Sequence, residues 1–381
     1  MSFDIYFNEE HNILRQKARR FAEEKLAPIS EEVDRTDTFP DELRREMAEL
    51  GFYGLKIPKE YGGQGLDMRS YVVVMEEIGA KSAAAAIYIT QANSLSTQPL
   101  IRFGTEEQKH KYLPTVCNGE GFIAFGLTEA EAGSDAGGVR TTAVADGDDY
   151  IISGTKTFIT GAPLAKYAVV YAKTNPQLGS KGITSFMVDL SLPGISFGKG
   201  EHKMGQKGMP VSDLFLDDVR VSKDCIVGEV DKGYSIALKT LSVGRIGVAA
   251  MSLGMAQEAM KEVVNYTKTT MFNEKPLCRQ QYVQFKIAEL ETKLNAARGL
   301  VYDAAYTVDT QERADKESSM AKFCATEYAN QIIAEALQLE GEFGCRRGNL
   351  MEKLYRDIRV TTIYEGSSQV QQMVIAGVML R

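Results

Sequence analysis

Three short segments of the chain combine residue types that can do chemistry. Ile363-Tyr364-Glu365-Gly366-Ser367-Ser368-Gln369 sets a carboxylate before a glycine, between an apolar run and a final amphipathic stretch. A carboxylate on a partly desolvated turn makes a good general base, because lost hydration raises its pKa toward neutral. The same residues also read as a helix start capped by Ser367 or Ser368. Phe125-Gly126-Leu127-Thr128-Glu129-Ala130-Glu131-Ala132-Gly133-Ser134-Asp135 mixes glycines with hydroxyls. Backbone N–H groups in such a loop, with Thr128 and Ser134, can hold phosphate or ring oxygens; an ordinary connecting loop is the alternative. Lys156-Thr157-Phe158-Ile159-Thr160-Gly161 spaces an aromatic and a hydroxyl two apart, on one face of a strand. A flat ring can stack on Phe158 while Thr160 donates to it. A half-buried strand with a surface threonine is the plainer reading.

Commoner routes are missing. The chain has no Walker A sequence, no Gly-x-Gly-x-x-Gly after a strand, no Gly-x-Ser-x-Gly elbow and no His-Glu-x-x-His. Its 44 basic and 51 acidic residues give a net charge of −7, which argues against nucleic acid as a partner. The five cysteines are scattered without a Cys-x-x-Cys pair, and His11, His110 and His202 lie far apart, so no metal site is expected. Reduced thiols and a start without an apolar leader point to the cytoplasm. No apolar run reaches the roughly 18 residues of a membrane span.

The elements that must position these segments change character twice along the 381 residues. Residues 1–120 read as helical: Leu14, Ala18 and Phe21 form one apolar stripe, and Pro58 to Gly65 is a loop. Residues 121–227 carry short β-rich runs at 150–152, 167–171, 183–188 and 214–216, separated by turn residues, as in an antiparallel sheet or barrel. In 228–381 helices return, with stripes through Leu253, Ala256, Met260, Val263 and Val264, through Ile287, Leu290, Leu294, Ala297 and Val301, and through Val370, Met373, Val374, Gly377 and Val378. The expectation is an α+β multidomain chain: a helical domain, a barrel-like β domain and a helical bundle carrying the carboxylate.

Taken together, the segments resemble the acyl-CoA dehydrogenase family from end to end. Supporting pieces are P-K-E-Y-G-G at 58–63, G-T-E-E-Q-K at 104–109, L-T-E-A-E-A-G-S-D at 127–135, K-T-F-I-T-G at 156–161, G-R-I-G-V-A-A at 244–250, and Arg356-Asp357 before I-Y-E-G-S-S-Q at 363–369. The likeness is to the short-chain, butyryl type. It implies a C-terminal four-helix domain, bound FAD, a homotetramer and an electron-transferring flavoprotein as redox partner. It implies that Glu365 removes the α-proton of an acyl-CoA thioester while the β-hydrogen leaves as hydride to the flavin. It assigns Phe125, Leu127, Thr128, Gly133, Ser134, Phe158, Ile159, Thr160, Gln338, Ser367 and Gln369 to the cofactor, and Ser134, Arg245, Tyr364 and Gly366 to the substrate. One branch of the family takes its base from a glutamate where this chain has Gly244, which favours Glu365.

Some positions depart from the family pattern. Thr270-Met271-Phe272-Asn273-Glu274 replaces Arg-x-Gln-Phe-Gly, whose arginine reaches the FAD diphosphate of a neighbouring subunit. Gln338-Leu339-Glu340-Gly341-Glu342 replaces Gln-x-x-Gly-Gly, bringing two carboxylates near that diphosphate unless Arg346, Arg347, Arg279 or Lys268 compensates. Ser242 stands where the family has aspartate. Gln91 and Asn93 align with the acyl-pocket floor; they read either as facing a short or polar acyl group or as facing solvent or a helix interface. Dehydrogenation of a short acyl-CoA is the leading expectation. Enoyl-CoA reduction by the same chemistry, or a non-catalytic CoA-thioester-binding protein with a degraded FAD site, stays open.

Overall fold

The computed structural model describes residues 4–311 and 313–380. Seven helices come first: α1 (Glu9–Phe21), α2 (Ser30–Thr36), α3 (Asp41–Glu49), α4 (Met68–Lys81), α5 (Ala83–Asn93), α6 (Gln98–Phe103) and α7 (Glu106–Cys117). Their starts follow capping chemistry. Asn8 and His11 form a reciprocal capping box at α1, Thr105 and Gln108 another at α7, and Asp67 caps α4 through the Ser70 N–H. Helix α4 is buried along nearly its whole length, which suits its Val-Val-Val run; it packs on α1, on α5 and on two long helices, Gly233–Thr269 and Gln281–Thr310.

A curled seven-stranded sheet follows: β1 (Phe122–Gly126), β2 (Thr142–Asp146), β3 (Asp149–Thr160), β4 (Ala165–Lys173), β5 (Ile183–Asp189), β6 (Ile195–Phe197) and β7 (Val211–Ser222). The order is β1-β4-β2-β3-β7-β6, with β5 on β4. Most pairs are antiparallel, as the short runs and turns predict. Strand β1 instead joins β4 in parallel, because the chain returns to it only after the β2–β3 hairpin. The sheet encloses its own core of Ala124, Ile152, Ile159, Phe186 and Leu214.

The chain ends in α8 (Gly233–Thr269), a two-residue hairpin of β8 (Met271–Phe272) and β9 (Lys275–Pro276), α9 (Gln281–Thr310), α10 (Asp315–Glu340), α11 (Leu350–Ile358) and α12 (Ser368–Met379). Helix α8 packs against α4, α9 and α10. Among the described residues it alone is long and apolar enough to cross a membrane, but most of its apolar window is buried in the protein. Small positions along it let neighbours approach: Gly247 faces Tyr71, and Gly254 meets the backbone of α4 at Glu76. Two of the three expected stripes are buried; the third is not. On α12, Met373 and Val378 remain exposed.

Candidate active site

Glu365 lies between a 3-10 turn (Arg359–Thr362) and α12. Its φ is +52° and that of Gly366 is +88°, two successive left-handed residues. A non-glycine residue held there costs on the order of 1 kcal/mol and needs outside support. Two side chains give it. Lys322 on α10 donates from Nζ to the Gly366 carbonyl at 2.8 Å, and Gln371 on α12 donates to the Gly366 carbonyl at 2.9 Å and the Glu365 carbonyl at 3.2 Å. Ser367 caps α12 by accepting from the Val370 N–H, so the cap reading and the turn reading both hold.

The Glu365 side chain folds back onto α8. Its Oε2 is buried and has no hydrogen-bond partner. A Cβ on Gly244 would stand 2.1 Å from that oxygen, so only glycine leaves the carboxylate its place. Burial pushes the carboxyl up to about 7, against the opposing pull of Lys322 and Arg245. Among the described residues the Glu365 N–H finds no acceptor within the chain. Tyr71 of α4, whose hydroxyl meets Thr90 Oγ1 at 3.1 Å, and Tyr364 complete the polar surroundings.

Arg245 is buried, not on a rim. Its Nη1 donates to Ser319 Oγ at 3.2 Å, and its Nε has no partner. Tyr364 is tied to the β domain: Gln206, in the β6–β7 loop, donates to its hydroxyl at 3.3 Å and to the Asp357 carbonyl at 3.0 Å. Arg356 locks the next turn of α11 to Asp34 by a bidentate pair, both contacts at 2.7 Å. The Arg356-Asp357 pair noted in the sequence therefore clamps three parts of the chain around the Glu365 turn.

The second group of residues gathers where β1 runs into the 127–134 loop beside β3. A buried ion pair joins the two segments. Lys156 Nζ donates to Glu129 Oε1 at 2.7 Å and to the Tyr171 carbonyl at 2.7 Å. Burial drives Lys156 down to about 8. Burial also pushes Glu129 up, but Lys156 and the Thr141 and Arg140 donors outweigh it and leave that carboxyl below its ordinary value. Both residues sat inside quoted motifs, yet their pairing needs the loop after β1 laid against β3, where the Thr157 N–H donates to the Thr128 carbonyl, and spacing alone does not show that.

Beside this pair β3 carries a bulge. Its register against β7 shifts between Lys156 and Ile159, Phe158 takes φ +56°, and the Phe158 ring is 65% exposed. Gly133 has open space around it and Ser134 is exposed, while Thr157 Oγ1 is buried without a partner. An exposed aromatic held in a strained conformation, an unpartnered hydroxyl and an open glycine-hydroxyl loop fit a flat, phosphate-bearing cofactor. Leu127 is buried and Phe125 and Thr128 half-buried. Ile159 points into the β core, so only its backbone faces that way.

The other expected residues divide. Gln369 is exposed on α12. Gln338 is exposed at the end of α10, about 24 Å along the helix from Lys322 at 1.5 Å per residue. Glu342 pairs with Arg346 at 3.2 Å and Arg347 leans on Glu352 at 3.6 Å, so the arginines are drawn to their own carboxylates. Glu340 turns inward, with both oxygens unpartnered. Thr270 ends α8, and Asn273-Glu274 forms an exposed hairpin tip with φ +48° and +61°. Gln91 donates to the Ile123 and Thr160 carbonyls, and Asn93 to the Phe52 and Ile89 carbonyls. Both amides are committed to backbone, so neither reads the polarity of an acyl group; Gln91 instead anchors the strand carrying Thr160.

Sequence models of the acyl-CoA dehydrogenase N-terminal, middle and C-terminal domains match residues 8–120, 124–219 and 231–380. The chain is 53% identical to the 3-(aryl)acrylate reductase of Clostridium sporogenes, over 99% of this chain and 100% of that one. It is 50% identical to subunit CarC of the caffeyl-CoA reductase-Etf complex of Acetobacterium woodii, again over 99% and 100%. The structure of butyryl-CoA dehydrogenase from Megasphaera elsdenii superposes with a TM-score of 0.96, at 37% identity and full coverage of both chains. With three domains matched in order and relatives aligned end to end, the chain belongs to the acyl-CoA dehydrogenase family and is an oxidoreductase of that family.

Proposed function

We propose that this protein uses FAD to interconvert an acyl-CoA thioester and its 2-enoyl counterpart, with Glu365 as the residue that moves the α-proton and enoyl reduction as its working direction. The observation that carries this is the Glu365 carboxylate itself. Its Oε2 is buried and unpartnered, the carboxyl is pushed up to about 7, and it is aimed by a turn that two helices pin. A group near 7 exchanges a proton readily both ways at neutral pH. As carboxylate it takes the α-proton of a saturated thioester; as carboxylic acid it returns one to the α-carbon of an enoyl thioester. The free Glu365 N–H supplies a donor for the thioester carbonyl, where enolate-like charge develops. A bound flavin supplies the other half of the chemistry, exchanging hydride with the β-carbon.

Direction is where the relatives change the leading expectation. Two relatives at half identity or more are named reductases, one within an Etf complex, which supports reduction of a short or 3-aryl-substituted enoyl thioester and an electron-transferring flavoprotein as partner. Loop 125–134 and residues 158–160 are the cradle for FAD. Thr270, Glu340 and Glu342 leave its adenosine end to be held in another way. Self-association as a tetramer agrees with the apolar side chains left exposed on α9 and α12, among them Tyr282, Phe285, Met373 and Met379.

The test mixes photoreduced protein anaerobically with crotonyl- or cinnamoyl-CoA, and oxidised protein with the saturated thioesters. The expected result is flavin reoxidation by the enoyl thioesters and bleaching by the saturated ones. Delivery of a proton by Glu365 should slow above about pH 7, and removal of a proton should quicken through the same point. A colourless preparation that binds CoA thioesters without turnover favours the non-catalytic reading, to which the changes at 270–274 would then belong.

A further inference from the structure

The geometry points to Lys322 as a positioning residue for the base: from the middle of α10 it fixes the Glu365–Gly366 turn through the Gly366 carbonyl and brings its positive charge near the Glu365 carboxylate. This rests on the reading of Glu365 as the proton-moving group. Lys322 is fully buried, which lysine rarely is unless paired. Yet among the described residues it has no carboxylate within salt-bridge distance, and one carbonyl accepts from its three N–H donors. A buried ammonium so thinly bonded is held by field as well as by hydrogen bonds, and the field it meets is that of Glu365.

The groups around the carboxylate come from every element packed on it. Lys322 and, farther off, Glu327 and Asp315 lie on α10; Arg245 lies on α8; Tyr71 lies on α4; Tyr364 is the neighbour in the turn. Burial pushes Glu365 up and the two cations hold it back. Burial likewise brings Lys322 down to about 8, which Glu365 opposes. Without the lysine charge the carboxyl would rise further and stay protonated through neutral pH, a poor proton acceptor. The hydrogen bond is partly duplicated, since Gln371 also donates to the Gly366 carbonyl. The charge is duplicated only by Arg245, whose Nε is itself unpartnered.

Three substitutions separate charge from hydrogen bond. Lys322→Gln keeps a donor without charge, Lys322→Arg keeps charge, and Lys322→Met removes both. In single-turnover flavin reduction by a saturated thioester, the Gln and Met variants should move the pH limb upward by about one unit, with kcat falling more than KM rises, and the Arg variant should restore it. A second reading needs no turnover. The stability difference between each protein and its Glu365→Gln counterpart, followed by denaturant melts against pH, locates the carboxyl titration; its inflection should rise in the Gln variant. If Lys322→Met does not fold, the Gln variant decides. An unmoved limb and an unmoved inflection in Lys322→Gln overturn the proposal. If Glu365→Gln alone turned over normally, the base assignment would fall, while the melts would still report whether Lys322 governs that carboxyl.

Discussion

Two carboxylates with buried oxygens lie along helix α10, one packed across it and one at its end, and burial pushes both up to about 7. Glu365 lies across its middle and Glu340 near its end. Around Glu365 stand Lys322 and Arg245, a turn pinned by three hydrogen bonds, and a glycine that leaves one oxygen room. Around Glu340 stands a second acid, Glu262, which raises it further, with Asn349 as a weak counterweight. Both Glu340 oxygens lack a partner. A raised pKa is therefore no mark of function by itself. What separates the two is countercharge and presentation: Glu365 is held where it can gain and lose a proton, and Glu340 is merely enclosed.

Two substitutions strike the well-built side of this comparison and should have the largest effects. Glu365→Gln keeps size and shape but cannot take the proton, so stopped-flow flavin reduction by a saturated thioester should fall by about 10²–10⁴-fold while flavin content holds. A rate near wild type would move the base elsewhere and erase the contrast. Gly244→Ala puts a methyl where Oε2 now lies, 2.1 Å away. The far end of a flexible side chain can swing aside, so the fold should survive. Displacing a reacting group by about 1 Å can cost roughly 10²-fold. Equal melting temperature with turnover lowered by about that factor is the expected outcome; unchanged turnover would mean that the carboxylate works from another rotamer.

The two carboxylates also show what the sequence could reveal. The α–β–α order follows from the change of apolar period, and the predicted runs at 150–152, 167–171, 183–188 and 214–216 all fall within strands. Glu365 stood out because Glu-Gly between an apolar run and an amphipathic helix is an odd place for a surface acid. Its support did not stand out. Lys322 sits in a stripe with Ala321 and Ala325, and periodicity alone cannot say that this lysine is buried under a turn 43 residues later. Glu129 and Lys156 were quoted as motif letters, but their pairing depends on the loop after β1 lying against β3, which is tertiary. Gln91 and Asn93 could be read two ways, as facing an acyl group or as facing solvent or a helix interface, and their amides satisfy backbone carbonyls that would otherwise be buried without donors. The parallel joining of β1 to β4 left no local trace, since hairpin signals report only neighbours in sequence.

The weaker side of the comparison can be strengthened. Thr270 ends α8 beside an exposed hairpin and carries no charge. If the adenosine end of the cofactor lies there, Thr270→Arg adds a charge-assisted phosphate contact worth about 1.5–3 kcal/mol. Flavin affinity from equilibrium titration should tighten by roughly 10- to 100-fold, with turnover little changed. No change in affinity would show that this end of the cofactor is held without the hairpin.

The smallest expected effect concerns Glu340. Its folded pKa lies above the unfolded value near 4.5, so the sign runs opposite to that of a paired carboxylate. The stability associated with its protonated form is fully present below the unfolded value and is lost as pH climbs through about 7. Above that point the fold holds a buried anion beside a second acid, Glu262. Glu340→Gln keeps the shape and removes that charge, so the variant should gain on wild type as pH rises. Between pH 5 and pH 8 the gain should be at least on the order of 1 kcal/mol, since one unit of pKa displacement corresponds to about 1.4 kcal/mol. Thermal melts at the two pH values measure it, with the same series run on Glu365→Gln. Both variants should gain at high pH, but only Glu365→Gln should lose turnover. If Glu340→Gln also abolished turnover, Glu340 would have to be counted with the chemistry, and countercharge could no longer be what distinguishes a working acid from an enclosed one.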